Sequence, residues 1–212
     1  MTVFSMPCCK SAIRLVLRVL FAAALTVVSA AGWAGKIEPV SARLAAGEDA
    51  HVLSAEFEID LGSHFEDAVS RGVPLYFLLE VEITRNRWYW YSEHIAGRSV
   101  TYRLAYIPLT RQYRLSSGGT LHQNFASLGD ALRLVGRVAA LPVADKGVLK
   151  AGETYQVVLR LALDRQQLPK PLQVDAIGNR DWQVEPAVSR WQFIPGASTA
   201  AAAAAVPERE TK

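Results

Sequence analysis

The stretch from Gly72 to Tyr91, GVPLYFLLEVEITRNRWYWY, constrains the fold more than any other part of this chain. Pro74 disfavours a helical conformation at the residue before it. After Pro74, apolar residues occupy every second position: Leu75, Phe77, Leu79, Val81 and Ile83. Successive side chains of a strand point to opposite faces, whereas a helix would scatter Glu80 and Glu82 into its apolar stripe. The stretch therefore predicts a central β-strand with one apolar face.

Other segments alternate in the same way. His51–Leu61 is preceded by Ile37–Leu44, in which Val40, Ala42 and Leu44 share a face, and the turn residues between the two segments indicate a β-hairpin. Thr154–Asp164 is the clearest strand of the C-terminal half. Shorter strands are predicted at Leu121–Phe125, Val138–Val143, Trp182–Val184 and Ser189–Ile194.

Two short helices interrupt the strands. The first begins at Ser63, where Glu66 has the spacing of a capping box, and it ends at Gly72, a typical left-handed C-terminal cap. The second begins at Ser127, with Asp130 in the capping-box position.

The remaining segments complete the predicted fold. Arg85–Arg87 breaks the alternation as a bulge or turn, and Ile95–Arg98 is predicted to be a connection. Val100–Leu109 is predicted as a strand that Gln112–Ser116 continues after a kink at Pro108. About eight mostly antiparallel strands with two short helices predict a mainly β fold, an antiparallel β-sandwich for which an immunoglobulin-like arrangement is one option.

The N-terminus has the pattern of a secretory signal peptide. Lys10, Arg14 and Arg18 are followed by an apolar run at Val19–Val28 and then by small residues. We expect a signal peptide over residues 1–34, cleaved after Ala34 or else after Ala30, and hence a periplasmic location. The alternative is an uncleaved leader that anchors the protein in the inner membrane, facing the periplasm. A single domain over 35–195 and a disordered, alanine-rich tail over 196–212 are expected to follow.

Cysteine usage and charge exclude several classes of site. Cys8 and Cys9, the two cysteines of the chain, lie in the leader, so the mature part has no disulfide, thiol nucleophile or thiolate metal site. Outside the leader, 20 basic residues balance 20 acidic ones, which argues against a nucleic-acid surface. None of the four histidines has another at metal-ligand spacing, and no cofactor or metal is expected.

The order of several motifs resembles a known family. These motifs are Gly72-Val-Pro-Leu75 after a capped helix, Arg87-Trp-Tyr-Trp90, Tyr102-Arg-Leu-Ala-Tyr106 and Leu109-Thr-Arg-Gln-Tyr113. Over Lys36–Pro195 the chain is similar to the exported proteobacterial family called domain of unknown function 4390, also labelled proline-rich signal-peptide proteins. The resemblance implies a β-rich periplasmic or membrane-facing domain. It brings no activity or catalytic residue, and an association with two-component sensor systems implies a signalling role.

Two aromatic and basic clusters are candidate binding residues. The residues singled out are Arg85, Arg87, Trp88, Tyr89, Trp90, Tyr91, Tyr106, Arg111 and Tyr113. Exposed Trp, Tyr and Arg form binding hot spots and can stack on sugars. The structural alternative is that the aromatic residues form core and cross-strand pairs. In the second cluster, which consists of Tyr102, Arg103, Tyr106, Arg111, Gln112, Tyr113 and Arg114, the arginines would then pair with Glu80 and Glu82.

An enzymatic role has less support in the sequence. Glu80 and Glu82 have a spacing that glycoside hydrolases use, but Glu56 and Glu58 repeat it on a face expected to be solvated. The chain has no phosphate-binding loop, nucleophile elbow or zinc-protease motif. We therefore expect a non-enzymatic module that binds a protein or cell-wall component through an aromatic-basic face. The alternatives are an envelope hydrolase acting on glycan or peptide, and a tethered structural domain.

Overall fold

The fold was analysed in a computed structural model that describes residues 35–86, 92–118, 121–170, 172–173 and 182–196. All of these residues belong to one compact unit of the chain. The predicted signal peptide lies outside the described residues, as does the predicted tail after Gly196. The strands are β1 (Gly35–Ala46), β2 (Ala50–Asp60), β3 (Leu75–Asn86), β4 (Ser92–Ile107), β5 (Gln112–Ser117), β6 (Leu121–Phe125), β7 (Arg137–Asp145), β8 (Tyr155–Leu163), β9 (Val184–Glu185) and β10 (Ala187–Phe193). The helices are α1 (Ser63–Ser70), α2 (Leu128–Gly136) and a 3-10 turn at Arg165–Gln167.

The strands form two sheets. The four-stranded sheet has the order β7-β2-β1-β9, and the six-stranded sheet has the order β10-β8-β3-β4-β5-β6. All pairings are antiparallel except that of β9 with β1. Buried side chains from both sheets and both helices form one core, which confirms the predicted mainly β, two-sheet class. The immunoglobulin-like arrangement stays a prediction.

Strand β3 lies at the centre of the larger sheet, between β8 and β4. The five apolar side chains predicted to share one face are buried: Leu75, Phe77, Leu79, Val81 and Ile83. Burial of each stabilises the fold by roughly 1.5–3 kcal/mol before conformational entropy is counted. The alternation predicted for β8 is confirmed in the same way, because Tyr155, Val157 and Leu159 are buried against β3.

The end of α1 has the predicted geometry, but its start does not. Gly72 has φ +92°, its N–H donates to Val69 O (2.8 Å), and the Val73 N–H donates to Ala68 O (3.0 Å), which together form a Schellman motif. The capping box predicted at Ser63 is wrong. The N-cap is Gly62, which has no side chain to accept a hydrogen bond, and Ser63 is already the first helical residue.

Helix α2 begins as predicted. The Ser127 Oγ accepts a hydrogen bond from the Asp130 N–H (3.1 Å). At the other end, a Cβ on Gly136 would lie 2.3 Å from Phe57 O of β2, so only glycine permits this close approach of helix and strand. The helix packs against both sheets, through β2 and β7 of one and β5 and β6 of the other.

Three predictions about the strands are wrong. Ile95–Arg98 is not a connection, because β4 runs through it as far as Ile107. A β-bulge in β4 places one extra residue opposite the step from Ile83 to Thr84. Gln112–Ser116 does not continue β4 past a kink; Pro108 lies in a turn, after which β5 pairs back on β4. Val40 does not share the inward face of Leu44. It lies at a bulge between Pro39 and Ser41 and is 60% exposed.

Candidate functional site

Five of the nine predicted binding residues lie outside the described residues. They are Arg87, Trp88, Tyr89, Trp90 and Tyr91, which connect β3 to β4 along the chain. The interpretation of this segment as an exposed aromatic cluster therefore stays a prediction. The other four, Arg85, Tyr106, Arg111 and Tyr113, can be placed.

Arg85 is a half-buried ion-pair residue at the end of β3. Its side chain is 22% exposed, and it donates from Nη1 to Glu153 Oε2 (2.6 Å) and from Nη2 to Glu93 Oε2 (2.7 Å). The hydrogen bonds to Glu93 and Glu153 raise the pKa of Arg85 above its ordinary value. The guanidinium thus ties β3 to β4 and to the loop before β8, and both of its terminal amino groups are already engaged by protein carboxylates.

Tyr155 completes this network. Its hydroxyl donates to Glu153 Oε2 (3.0 Å) and accepts from the Lys150 N–H (2.9 Å). The hydrogen bonds from Arg85 and Tyr155 lower the pKa of Glu153 below its ordinary value, so this carboxylate is ionised at neutral pH. This network could not be predicted from local sequence, because Arg85 and Glu153 are 68 residues apart along the chain.

The same end of the core contains further polar atoms. His51 packs edge-on against Phe193 (ring centroids 5.8 Å apart), and Phe193 lies opposite Tyr155 in the sheet. Within the described ranges, three buried side-chain nitrogens have no hydrogen-bond partner: His51 Nδ1, Arg85 Nε and Trp191 Nε1. This end is therefore more polar than the centre of the core.

Tyr106 and Tyr113 form a cross-strand pair between β4 and β5. Their ring centroids are 5.0 Å apart, and both rings are half-buried against the core. This is the packing that the structural alternative describes. Arg111 and Leu109 lie in the β4–β5 turn, where Arg111 is exposed with φ +53° and Leu109 is 94% exposed.

The structure does not bring Arg85 and the tyrosine pair together. Leu75 of β3 pairs with Leu104, and Tyr106 lies beyond that pair, whereas Arg85 pairs with Glu93 at the other end. Ten residues along β3 separate the two ends, which corresponds to roughly 33 Å. The predicted residues therefore belong to opposite ends of the larger sheet.

The arginines of the second cluster lie in a run without acidic residues, and this part of the charge pattern was not predicted. From His94 to Gly129, a run that covers nearly all of β4 together with β5 and β6, there is no Asp or Glu, but there are four arginines. Arg103 and Arg114 are exposed, and their register places them on the same outward face as Tyr76 and Asn124. We call Arg103, Arg111, Arg114 and His122 the basic surface.

The pairing partners of this surface differ from those expected. Arg103 lies over the Tyr76 ring (5.9 Å), and Arg114 Nε donates to the Asn124 amide oxygen (3.3 Å). Glu80 and Glu82 are instead paired with Arg160 (3.2 Å) and His94 (3.0 Å). Glu80 and Glu82 therefore pair with Arg160 and His94 rather than with the arginines of the second cluster, and Arg103, Arg111 and Arg114 are exposed.

Two arrangements bear on catalysis. The Ser116 Oγ and His122 Nδ1 atoms are hydrogen-bonded (2.7 Å) across β5 and β6 on the outward face. Glu80 and Glu82 lie on the same face of β3, but each is engaged by its basic partner. In the part of the chain that the structure describes, no three His, Cys, Asp or Glu side chains are grouped so that they could hold a metal ion.

These observations define a mainly β, two-sheet protein in which one half of the larger sheet is basic. The family model for the Domain of unknown function (DUF4390) matches residues 34–192. The chain therefore belongs to this family, as the order of its motifs predicts. No curated protein and no solved structure matches it. None of the helices in the described ranges is both long and apolar enough to span a membrane.

Proposed function

We propose that this protein is an exported, periplasmic module without enzymatic activity, which binds a protein or another envelope component through the basic surface. The pattern of the first 34 residues supports export. The proposal changes the predicted aromatic-basic face in one respect. In the second cluster, Tyr106 and Tyr113 pack toward the core, and Arg103, Arg111 and Arg114 supply the exposed chemistry.

The observation that carries the proposal is the absence of acidic residues from His94 to Gly129 in a chain whose mature part is otherwise balanced. Exposed charges on a folded protein are normally mixed in sign, and a one-sign surface raises the rate at which an oppositely charged partner docks. Leu109, 94% exposed beside Arg111, adds an apolar group at the edge of the same surface. An apolar and arginine-rich pair is typical of binding hot spots.

The test is chemical crosslinking in native envelopes followed by purification of the tagged protein. An Arg103→Glu/Arg114→Glu variant reverses the charge of the basic surface. The matched control is Arg165→Glu/Arg190→Glu, which reverses two exposed arginines elsewhere in the domain. We expect the wild type and the control to recover the same partner and the basic-surface variant to lose it. Equal recovery by all three proteins would refute docking through the basic surface.

The segment at 87–91 is tested separately. A Trp88→Ala/Tyr89→Ala variant that melts with the wild type is expected to lose the partner if these aromatic residues also dock. Unchanged recovery would show that these aromatic residues do not dock and would leave the basic surface as the binding element.

The alternative, an envelope hydrolase acting on glycan or peptide, is favoured by one observation. The Ser116 hydroxyl and His122 imidazole have the hydrogen bond that a nucleophile and its base require. A Ser116→Ala variant that loses hydrolysis of cell-wall fragments or envelope peptides shown by the wild type would establish the enzyme. A wild type that releases no product from either substrate class would remove it.

Export and a link to a two-component sensor system belong to the same proposal. N-terminal sequencing of the envelope form is expected to start at Gly35, or at Ala31 after the second cleavage site. An intact Met1 would instead support the membrane-anchored alternative. The sensor link rests on the family resemblance alone, and crosslinking to a sensor kinase is the result that would support it.

A further inference from the structure

In the part of the chain that the structure describes, the two sheets have four edge strands, and three of them carry features that hinder pairing with another chain. Strand β7 contains Pro142 and irregular pairing with β2, and β9 is two residues long. Strand β10 packs against β1 and is preceded by Pro186. Proline, bulges, short length and covering elements all prevent an edge strand from pairing with another chain.

Strand β6 is short and α2 packs against it, but it has neither a proline nor a bulge. Its five residues, Leu121–Phe125, contain no proline and no lysine, and its pairing with β5 runs without a register shift. His122, Gln123 and Asn124 are all exposed. Because consecutive side chains of a strand point to opposite faces, the middle of β6 is uncovered on both faces.

The direction of the free backbone groups follows from the pairing. The Gly118 N–H donates to Thr101 O of β4, so the carbonyl of the same peptide group, that of Ser117, points the other way, toward β6. Ser117 lies opposite Leu121, so these two residues form a hydrogen-bonded pair between β5 and β6. Hydrogen-bonded pairs occur at every second residue of an antiparallel ladder, so the backbone groups of Gln123 and Phe125 also point toward β5. The N–H and C=O groups of His122 and Asn124 therefore point away from β5, toward the open edge.

Charge indicates what this edge accepts. Strand β5 beside it lies within the acid-free run, and Arg114 of β5 occupies the outward face, where it contacts Asn124 of β6. A strand added to β6 would place alternate side chains on that face. Acidic residues at those positions would meet arginine, whereas basic ones would be repelled.

We propose that β6 is a strand-addition site for an extended, acidic segment of a partner protein. The segment pairs with the backbone of His122 and Asn124 and places an acidic side chain within reach of Arg114. This inference rests on the proposed docking function and assigns its partner a chemistry and a binding mode.

The test uses a display library of random dodecapeptides as the probe. It is selected on the purified wild-type protein, and the most enriched peptide is then labelled and measured by fluorescence polarisation. Asn124→Pro removes an N–H that points to the open edge and leaves the ladder with β5 intact, because proline is tolerated on an edge with its nitrogen facing solvent. Asn124→Ala is the matched control, since it also removes the contact with Arg114 but keeps the N–H.

We expect enriched peptides with Asp or Glu at alternate positions. Affinity is expected to fall about tenfold or more in Asn124→Pro relative to Asn124→Ala, because a backbone hydrogen bond is lost and the ring obstructs the approaching strand. The Arg103→Glu/Arg114→Glu variant is expected to lose binding, and binding by the wild type should weaken as salt is raised. Thermal melts like that of the wild type show that each variant is folded.

The failures are distinguishable. If no peptide is enriched, or if the enriched peptides are not acidic, the inference is wrong while the crosslinking result for the proposed function stands by itself. If acidic peptides require Arg103 and Arg114 but bind Asn124→Pro and Asn124→Ala equally, the basic surface docks its partner without strand addition.

Discussion

Gly72→Ala isolates the conformational cost of the cap that ends α1. An ideal Cβ at Gly72 meets no atom within 4 Å, so the substitution introduces no steric clash. The backbone at φ +92° is one that residues with a β-carbon rarely adopt. We expect a loss of about 1 kcal/mol in the free energy of unfolding, which lowers Tm by roughly 2–4 °C in a domain of this size.

Gly129→Ala is the matched control for this prediction. Gly129 lies in the first turn of α2, and its Cβ would also meet no atom within 4 Å. Because no left-handed conformation is involved, alanine should increase the free energy of unfolding by about 0.5–1 kcal/mol. Gly136→Ala makes the same chemical change where the Cβ would lie 2.3 Å from Phe57 O, and it should be the most destabilising of the three.

Urea denaturation followed by tryptophan fluorescence measures all three variants under the same conditions. From most to least stable, the expected order is Gly129→Ala, wild type, Gly72→Ala and Gly136→Ala. A Gly72→Ala variant as stable as the wild type would show that the left-handed backbone at the end of α1 does not make alanine unfavourable there. Equal losses for Gly72→Ala and Gly129→Ala would show that the backbone angle is not its cause.

Three further predictions test the core, a cap and the ion-pair network. Phe77→Ala should cost about 3–5 kcal/mol in unfolding free energy, while Leu78→Ala, half-buried on the opposite face of β3, should cost much less; equal losses would contradict the assigned faces. Ser127→Ala should cost about 1 kcal/mol and Ser127→Asn nearly nothing, as measured by thermal melts, because asparagine can also cap the helix. The pKa of Glu153 is lower in the folded state than its ordinary value of 4.5. The ionised Glu153 therefore stabilises the folded state fully above pH 4.5, and this contribution to the free energy of unfolding is lost as the pH falls through the folded pKa. Urea midpoints of the wild type should therefore fall more steeply below about pH 4.5 than those of Glu153→Gln, and parallel curves would refute the assignment.

Local rules were sufficient where a segment determines its own structure. The alternation at Leu75–Ile83 and at Tyr155–Leu163 identifies buried strands because each has one continuous apolar face. Gly72 and Ser127 were recognisable as caps because the conformation or hydrogen bond they supply is local. At Ser63 the same rule failed, since a capping-box spacing does not determine which residue is the cap.

Structure imposed by pairing was not predictable from the segment itself. Gly97, Arg98 and Ser99 have weak strand preference, and they are extended because β3 provides hydrogen-bond partners along their length. Site geometry is less accessible still. The strand register decides that Arg85 faces Glu93 and Glu153 and that Tyr106 lies at the far end of the sheet. The acid-free run, in contrast, needed only the sequence and could have been recognised from it directly.

The parallel pairing of β1 with β9 has a consequence for the order of folding. Gly35 and Lys36 lie beside Val184 and Glu185, and β8 reaches its partner β3 across a long intervening segment. Contacts between distant parts of a chain form slowly, because the loop between them must close before they stabilise anything. As the chain emerges from the ribosome N-terminus first, the smaller sheet therefore remains incomplete until nearly the whole domain has been synthesised.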